Sequence, residues 1–434
     1  MSLLRLFCLT CVGLSGVAPT FAQTAVEGQI QGTVRDDSGA VLPGVTVMAT
    51  GISTVGSART VSDAEGNYRL VNLPPGEYQV EAELQGFSRF SQGGVQVRAA
   101  RTILLDVILR IGSIEETVTV TAETPMLEVR RAVQAINIEG EFQRELPLSP
   151  RRDYTDFLEV TPGMNNYVNP QSGGGIYHLR GSTIESHVVQ LDGADMTSFR
   201  QARPDYIALS SDALEDVEIK TAAADASSPL GVGVVINVVS KSGTNTLTGS
   251  AGLVFADTIW NADNNPEGES TTADIFQQDV SVGGPIVADK AWFYGTFRNV
   301  ARDVGINRTE KELALHQVYT PGWEPFDNQF RGKSIFAKLT TQVNPYHKLD
   351  GFYQWDSYTT ENIVPQDNAS YRPQDYAGIG VNARLTSLWS DSLTTRFTVS
   401  YNDKSLNGSV GAYDGHLCFC PEQGPGVDVH EGVF

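Results

Sequence analysis

The chain has 434 residues, enough for two or three domains, with 51 acidic against 31 basic residues and a formal net charge of −20. That balance excludes a nucleic-acid-binding protein, which needs Lys and Arg to neutralise phosphates. Acidic charge alone selects no function.

Residues 1–22 read as a secretory signal peptide. Arg5 supplies a positive charge, Leu6 to Val17 an apolar stretch too short to span a bilayer, and Pro19-Thr20-Phe21-Ala22 a small residue for cleavage. Cys8 and Cys11 would leave with the signal, so Cys418 and Cys420 remain in the mature chain, a usage that suits an oxidising compartment. No later run approaches the roughly 18 apolar residues of a transmembrane helix, so a membrane-inserted chain would have to cross as a barrel.

Residues 27–110 alternate short β-prone runs with turn clusters. The runs include Gln29 to Arg35, Gly44 to Ala49, Tyr68 to Val71, Tyr78 to Leu84 and Thr102 to Leu109. Asp36-Asp37-Ser38-Gly39, Asp63-Ala64-Glu65-Gly66-Asn67 and Leu73-Pro74-Pro75-Gly76 reverse the chain between them. About seven short strands so spaced predict a small β-sandwich. The acidic turn at Asp63 lacks the alternating oxygen ligands and closing Glu of an EF-hand and reads as a hairpin turn. Gly32-Thr33-Val34, Pro43-Gly44-Val45, Thr60 to Tyr68, Leu73-Pro74-Pro75-Gly76-Glu77-Tyr78 and Gly86-Phe87 together resemble the carboxypeptidase-regulatory-like domain, which implies a transthyretin-like or carbohydrate-binding-like sandwich. Sugar binding follows from that fold only by analogy.

Residues 115–122, Glu115-Glu116-Thr117-Val118-Thr119-Val120-Thr121-Ala122, form a β-prone run between two domains. It has two readings: the last strand of the sandwich, or an exposed strand donated to the sheet edge of a partner. In sequence and position Glu116, Thr117, Val118, Thr119, Val120 and Thr121 resemble a TonB box, which implies coupling to a TonB-ExbB-ExbD-type inner-membrane complex.

Residues 123–246 combine helical and strand-like runs. Glu141 to Leu146 and Asp153 to Val160 have helical spacing, stopped by Pro147 and by Pro162-Gly163. His178 to Ser182, Val188-Val189-Gln190-Leu191-Asp192-Gly193 and Leu214 to Lys220 follow, and the segment ends in the β-branched run Val232 to Ser240 and Lys241-Ser242-Gly243-Thr244-Asn245. In this order they resemble the plug domain of Oar-like TonB-dependent receptors. The resemblance implies that Arg180 and Asp192 sit in a polar lumen, where they would lock plug to barrel wall.

No catalytic constellation is present. Gly173-Gly174-Gly175 lacks the Lys and Ser or Thr of a phosphate loop, the six histidines form no HExxH pair, and there is no GxSxG elbow. The chain is expected to be no enzyme and to need no cofactor or metal.

From Leu247 to residue 434 one pattern repeats. Ile335, Ala337, Leu339, Thr341 and Val343 alternate with Phe336, Lys338, Thr340 and Gln342, and Leu393 to Tyr401 alternate in the same way. Further strands fall at 247–255, 275–282, 291–300, 348–357 and 377–388. Seven strands are thus expected, with connections that are long and short in strict turn. A soluble sandwich has no reason for that rhythm, whereas outer-membrane barrels have short periplasmic turns and long extracellular loops. Trp292, Tyr294, Tyr346, Trp355, Tyr358 and Trp389, near strand ends, are expected in interfacial girdles. Gly283-Gly284-Pro285-Ile286 and Trp292-Phe293-Tyr294-Gly295 resemble the first periplasmic turn of Oar-like barrels. Plugged transporters close at about 22 strands, so the barrel is expected to be incomplete and the sequence to continue past residue 434. Cys418 and Cys420 flank one residue, too close for an unstrained mutual disulfide.

The expected fold is mainly β: a small sandwich, an α+β plug and the first part of a transmembrane antiparallel barrel. The expected function is energy-coupled uptake through a plugged barrel in a bacterial outer membrane, with the sandwich in the periplasm. The partners would be outer-membrane lipid, the inner-membrane complex and a ligand, carbohydrate or peptide, that the sequence does not identify. The other reading is a non-transporting outer-membrane binding or adhesion protein.

Overall fold

The computed structural model describes residues 26–52, 57–112, 117–120, 134–140, 161–168, 175–179, 187–196, 209–222, 234–260, 273–305, 327–344, 346–361, 374–390, 393–408 and 429–432, with a few isolated positions besides. Residues 1–22, expected as a signal, the helix expected over 153–160 and, apart from Phe142, that expected over 141–146, together with Arg180, Cys418 and Cys420, lie outside the described residues.

The first eight strands are β1 (Gly28–Asp36), β2 (Thr46–Gly51), β3 (Ser57–Val61), β4 (Asn67–Leu73), β5 (Gly76–Glu83), β6 (Arg89–Val97), β7 (Thr102–Leu104) and β8 (Val107–Leu109). They form two sheets. In one, β1 pairs antiparallel with β4 and parallel with β7 and β8; in the other the order is β3-β2-β5-β6. Alternation puts Ile30 and Val34, Val47 and Ala49, and Tyr78, Val80 and Ala82 between the sheets. Among the described residues this core draws on none outside 30–109, as expected of a unit with its own hydrophobic centre. The buried Tyr68 donates its hydroxyl to the carbonyl of Leu105 at 2.6 Å, and at Gly32 an added Cβ would lie 1.8 Å from that same oxygen. The run at 117–120 becomes β9 (Thr117–Val120), laid parallel to β6 with Arg89 opposite Thr117 and Gln92 opposite Val120. Its backbone is therefore the edge strand of the sandwich sheet.

A second sheet system follows: β10 (Gln134–Glu139), β11 (Met164–Val168), β12 (Gly175–Leu179), β13 (Val188–Leu191), β14 (Ala194–Asp195), β15 (Leu214–Ala222) and β16 (Val235–Ser240). Five of them form a sheet in the order β10-β15-β16-β13-β14, and β11 and β12 form a separate hairpin. The β-branched run at 235–240 is the central strand, buried at every residue and flanked by antiparallel β15 and parallel β13. Val217, Ile219, Ile236 and Val238 enter the core on one face.

The rest is one open antiparallel sheet in sequence order: β17 (Thr248–Ala256), β18 (Ala273–Val287), β19 (Ala291–Gly305), β20 (Asp327–Asn344), β21 (His347–Glu361), β22 (Gln374–Ser390), β23 (Leu393–Gly408) and β24 (Val429–Gly432). Strands β18 to β23 have 15 to 18 residues, about 50–60 Å at ~3.4 Å per residue. They run longer than the alternation in sequence suggests, so the turns tighten to 288–290, 345–346 and 391–392, while 257–272, 306–326, 362–373 and 409–428 stay long. The sequence pattern gave seven strands. The structure adds the four-residue β24, paired with β23 from Leu406↔Val429 to Asp403↔Gly432 and too short to show alternation.

The wall is inverted relative to a soluble sheet. Phe276, Val280, Val282, Ile335, Leu339, Val381, Leu385, Phe397 and Val399 are exposed on one face. Gln277, Asp279, Thr296, Arg298, Lys338, Thr340, Asp350, Gln354, Asn382 and Arg384 are buried on the other. Strand parity also corrects the girdle expectation. Trp292 and Tyr294 share parity with Thr296 and Arg298 and point inward, whereas Tyr346 and Trp389 are exposed at the short-turn end.

Prediction: Gly32→Ala forces β1 away from the Leu105 carbonyl and should cost at least about 2 kcal/mol, read as a lower urea midpoint for the isolated sandwich, whereas Gly93→Ala, facing open space with no positive φ, should cost less.

Candidate functional site: the junction of plug and wall

The junction begins with a turn. Asp192 and Gly193, the two residues between β13 and β14, have φ of 49° and 79°. Positive φ at both central residues makes the tight hairpin that favours Asp-Gly. The turn places the Asp192 carboxylate against the end of β16, where it accepts from the Ser240 backbone N–H at 2.9 Å and from the Ser240 hydroxyl.

The wall supplies the opposite charge. Lys338, in the middle of β20, lies 3.0 Å from Asp192 Oδ2 and also donates to the carbonyl and hydroxyl oxygens of Ser240 at 3.0 Å each. Arg384 of β22 donates to the Asp192 carbonyl at 3.2 Å and grips Asp350 of β21 through Nε at 2.8 Å and Nη2 at 2.7 Å. All four side chains are almost wholly buried. In such a site each charge depends on its partners, because desolvation outweighs what one distant counter-charge returns.

Aromatic packing continues the joint. Tyr294, Phe336 and Phe352 project inward from the wall and belong to the same apolar cluster as Val189, Leu191 and Ile236 of the plug. Tyr294 donates to the Asp212 carbonyl at 2.6 Å. At the exit of the plug, Asn245 accepts from Asp289 N at 3.0 Å and from the Trp292 indole at 2.7 Å, which ties the 241–245 segment to the first short turn.

A third element joins the same cluster. Glu27, just before β1, is buried and lies 2.5 Å from Arg396 and 3.4 Å from Arg384. Burial alone would raise its carboxyl, but Arg384 and Arg396 outweigh it and hold the group below the ordinary glutamate range. Lys348 adds to that pull and Asp350 opposes it.

Of the residues singled out in sequence, Asp192 lies at this joint and Thr117 to Val120 lie in β9. Arg180, Glu116 and Thr121 fall outside the described residues. Sequence reasoning missed Lys338, Asp350, Arg384, Ser240 and Glu27. Lys338 and Arg384 carried a usable signal, each being a charge on the polar parity of a long alternating strand. Glu27 carried none. Among the described residues no group of three or more His, Cys, Asp or Glu side chains is placed to hold a metal ion.

Residues 29–110 match the family model of the carboxypeptidase regulatory-like domain. The chain is 29% identical over 313 residues to the TonB-dependent transporter Oar of Myxococcus xanthus, which covers 67% of this chain and 28% of that protein. Over about two thirds of its length the chain is thus similar to a TonB-dependent transporter of the Oar type. It spans a little over a quarter of that relative's length, 28%. Similar solved structures include the siderophore receptor PirA of Acinetobacter baumannii, with TM-score 0.49 and 16% identity over 68% of this chain and 43% of that one. A mutant of the ferric enterobactin receptor PfeA of Pseudomonas aeruginosa has TM-score 0.47 and 15% identity over 64% and 42%. These relatives are transporters and receptors, not enzymes.

Two predictions follow from the junction. Asp192→Ala strands Lys338 and should cost about 3–5 kcal/mol, read as a lower urea concentration at which the plug becomes protease-sensitive; Asp192→Ala/Lys338→Met should cost less than Asp192→Ala alone. Because the Glu27 pKa is depressed, its contribution is complete above the unfolded value of about 4.3 and is lost as pH falls through the lower folded value. Protection of the joint should therefore fall below about pH 4, and Glu27→Gln should make that fall smaller.

Proposed function

We propose that the protein is an energy-coupled transporter of the outer membrane, in which β17 to β24 form part of a lipid-facing barrel wall and residues 123–246 its plug. The observation that carries this reading is the inverted wall whose inward charges are satisfied by the plug: Lys338 and Arg384 meet Asp192 in a buried, fully polar contact. A soluble sheet would bury Leu339 and Val399 and leave Lys338 to water; a sheet facing hydrocarbon does the reverse. A barrel used only to display loops would need no such charge-matched stopper in its lumen.

Arg180 is proposed to join Asp192 in locking plug to wall. Residues 1–22 would direct secretion, and residues 27–110 would stand on the periplasmic side, where the short turns lie. Glu116 to Thr121 would serve as the strand engaged by a TonB-ExbB-ExbD-type complex. Backbone hydrogen bonds suffice for that grip, and β9 is already an edge strand with one side unpaired among the described residues. Transport then means weakening the Asp192 contacts enough for the plug to shift and open the polar lumen. The ligand, carbohydrate or peptide, would be chosen by the long loops and plug apices.

Deleting residues 116–121 from the receptor made from its complete gene should abolish energy-dependent uptake while leaving surface binding of the same ligand intact. Unchanged uptake would refute coupling through this strand.

A further inference from the structure

The sandwich contacts both parts that the proposed transport cycle must separate. Its 98–101 turn docks on the plug sheet: Ala99 N–H donates to Asp216 Oδ2 at 2.7 Å, and Arg101 donates to Asn137 Oδ1 at 2.7 Å and to the Ala135 carbonyl at 2.6 Å. Ala100 holds a φ of 55° in that turn, a left-handed conformation that an alanine adopts only when its surroundings fix it. Val26 and Ala99 pack on Val239 of β16. On the wall side, Glu27 reaches Arg396 and Arg384, and Asn72 donates to the Thr394 hydroxyl at 3.5 Å.

Charge explains why Glu27 matters. Around the joint the described residues of the wall contribute Lys338, Lys348, Arg384 and Arg396 but one carboxylate, Asp350. The plug adds Asp192 and, at the edge of the cleft, the half-buried Glu215. Glu27 supplies the remaining negative charge, and among the described residues it is the one carboxylate in contact with Arg396.

Glu27 is also held rigidly to the rest of the sandwich. A Cβ on the adjacent Gly28 would lie 2.4 Å from the Arg98 carbonyl, so the two backbones are in direct contact there. The 98–101 turn continues β6, and β6 carries β9 on its edge. A pull on β9 is therefore delivered to the sandwich sheet, within one strand of both the plug contact and the wall contact.

We propose that the sandwich is a latch: it pins plug to wall through Glu27 and the 98–101 turn, and force on β9 releases it before the plug moves. The source of the force rests on the transport reading above; the latch contacts do not. Withdrawal of Glu27 leaves Arg396 without this carboxylate and gives Arg384 one counter-charge fewer, which loosens the Asp192 contacts beneath.

The test uses the receptor made from its complete gene, in outer-membrane vesicles and in cells, with Cys418→Ser, Cys420→Ser and Val239→Cys, and N-ethylmaleimide as the probe of the buried joint. Without energy, Glu27→Gln should speed labelling at position 239 by about tenfold or more; an unchanged rate overturns the latch. In energised cells, a disulfide between cysteines placed by Asn72→Cys and Thr394→Cys should suppress labelling at position 239, and reduction should restore it. Energised labelling that continues with the disulfide closed also overturns the latch. If energised labelling is absent even in the reduced protein, the transport reading fails, and the unenergised Glu27→Gln comparison alone decides the latch.

Discussion

Lys338 sits in the middle of a strand whose other face is greasy, and it is buried. A lone ammonium in that position is not tolerated, so something inside the sheet must meet it. Asp192 does, presented by a two-residue turn and steadied by Ser240. The same requirement recurs along the wall, where Asp279 faces Arg298 at 2.6 Å and Asp350 faces Arg384 at 2.7 Å. The fold of the inner domain, its seat in the sheet and the reach of Glu27 from the sandwich all answer the need to satisfy polar groups on the buried side of an inverted sheet.

That arrangement makes the plug removable in principle. An apolar plug in an apolar sleeve would release only by exposing hydrocarbon surface to water. A plug seated on ions and hydroxyls can exchange those contacts for water at much smaller net cost. Three aromatic residues, Tyr294, Phe336 and Phe352, oppose this by packing into the plug core. The joint therefore combines a modest apolar grip with a polar lock of several mutually dependent charges, so that loss of one weakens the others.

Much of the fold was legible because β-structure writes its periodicity into side chains. Ile335 to Val343 announced a two-faced strand, and the long and short connections distinguished a barrel from a sandwich. The gain from the structure is the sense of the faces: alternation gives parity, and only the partners show that Trp292 and Tyr294 point inward while Tyr346 and Trp389 point out. Asp192 was legible as half of an Asp-Gly turn, but its partner at Lys338 lies 146 positions away and depends on how plug and wall are superposed. Glu27 was invisible, since a lone glutamate just before a β-prone run looks like any solvated charge. The run at 117–120 allowed two readings, and its backbone now lies on the sandwich edge. That position is compatible with later donation to a partner.

The inverted wall can be read one residue at a time. Spin labels placed singly at positions 335 to 341 of the receptor in bilayers report oxygen, which concentrates in hydrocarbon, and a water-soluble nickel reagent. Ile335, Ala337 and Leu339 should be oxygen-accessible and shielded from nickel, with Phe336, Lys338 and Thr340 protected from oxygen, in a period of two along β20. Nickel accessibility at Ile335 and Leu339 equal to that of a soluble surface would contradict a wall that faces lipid.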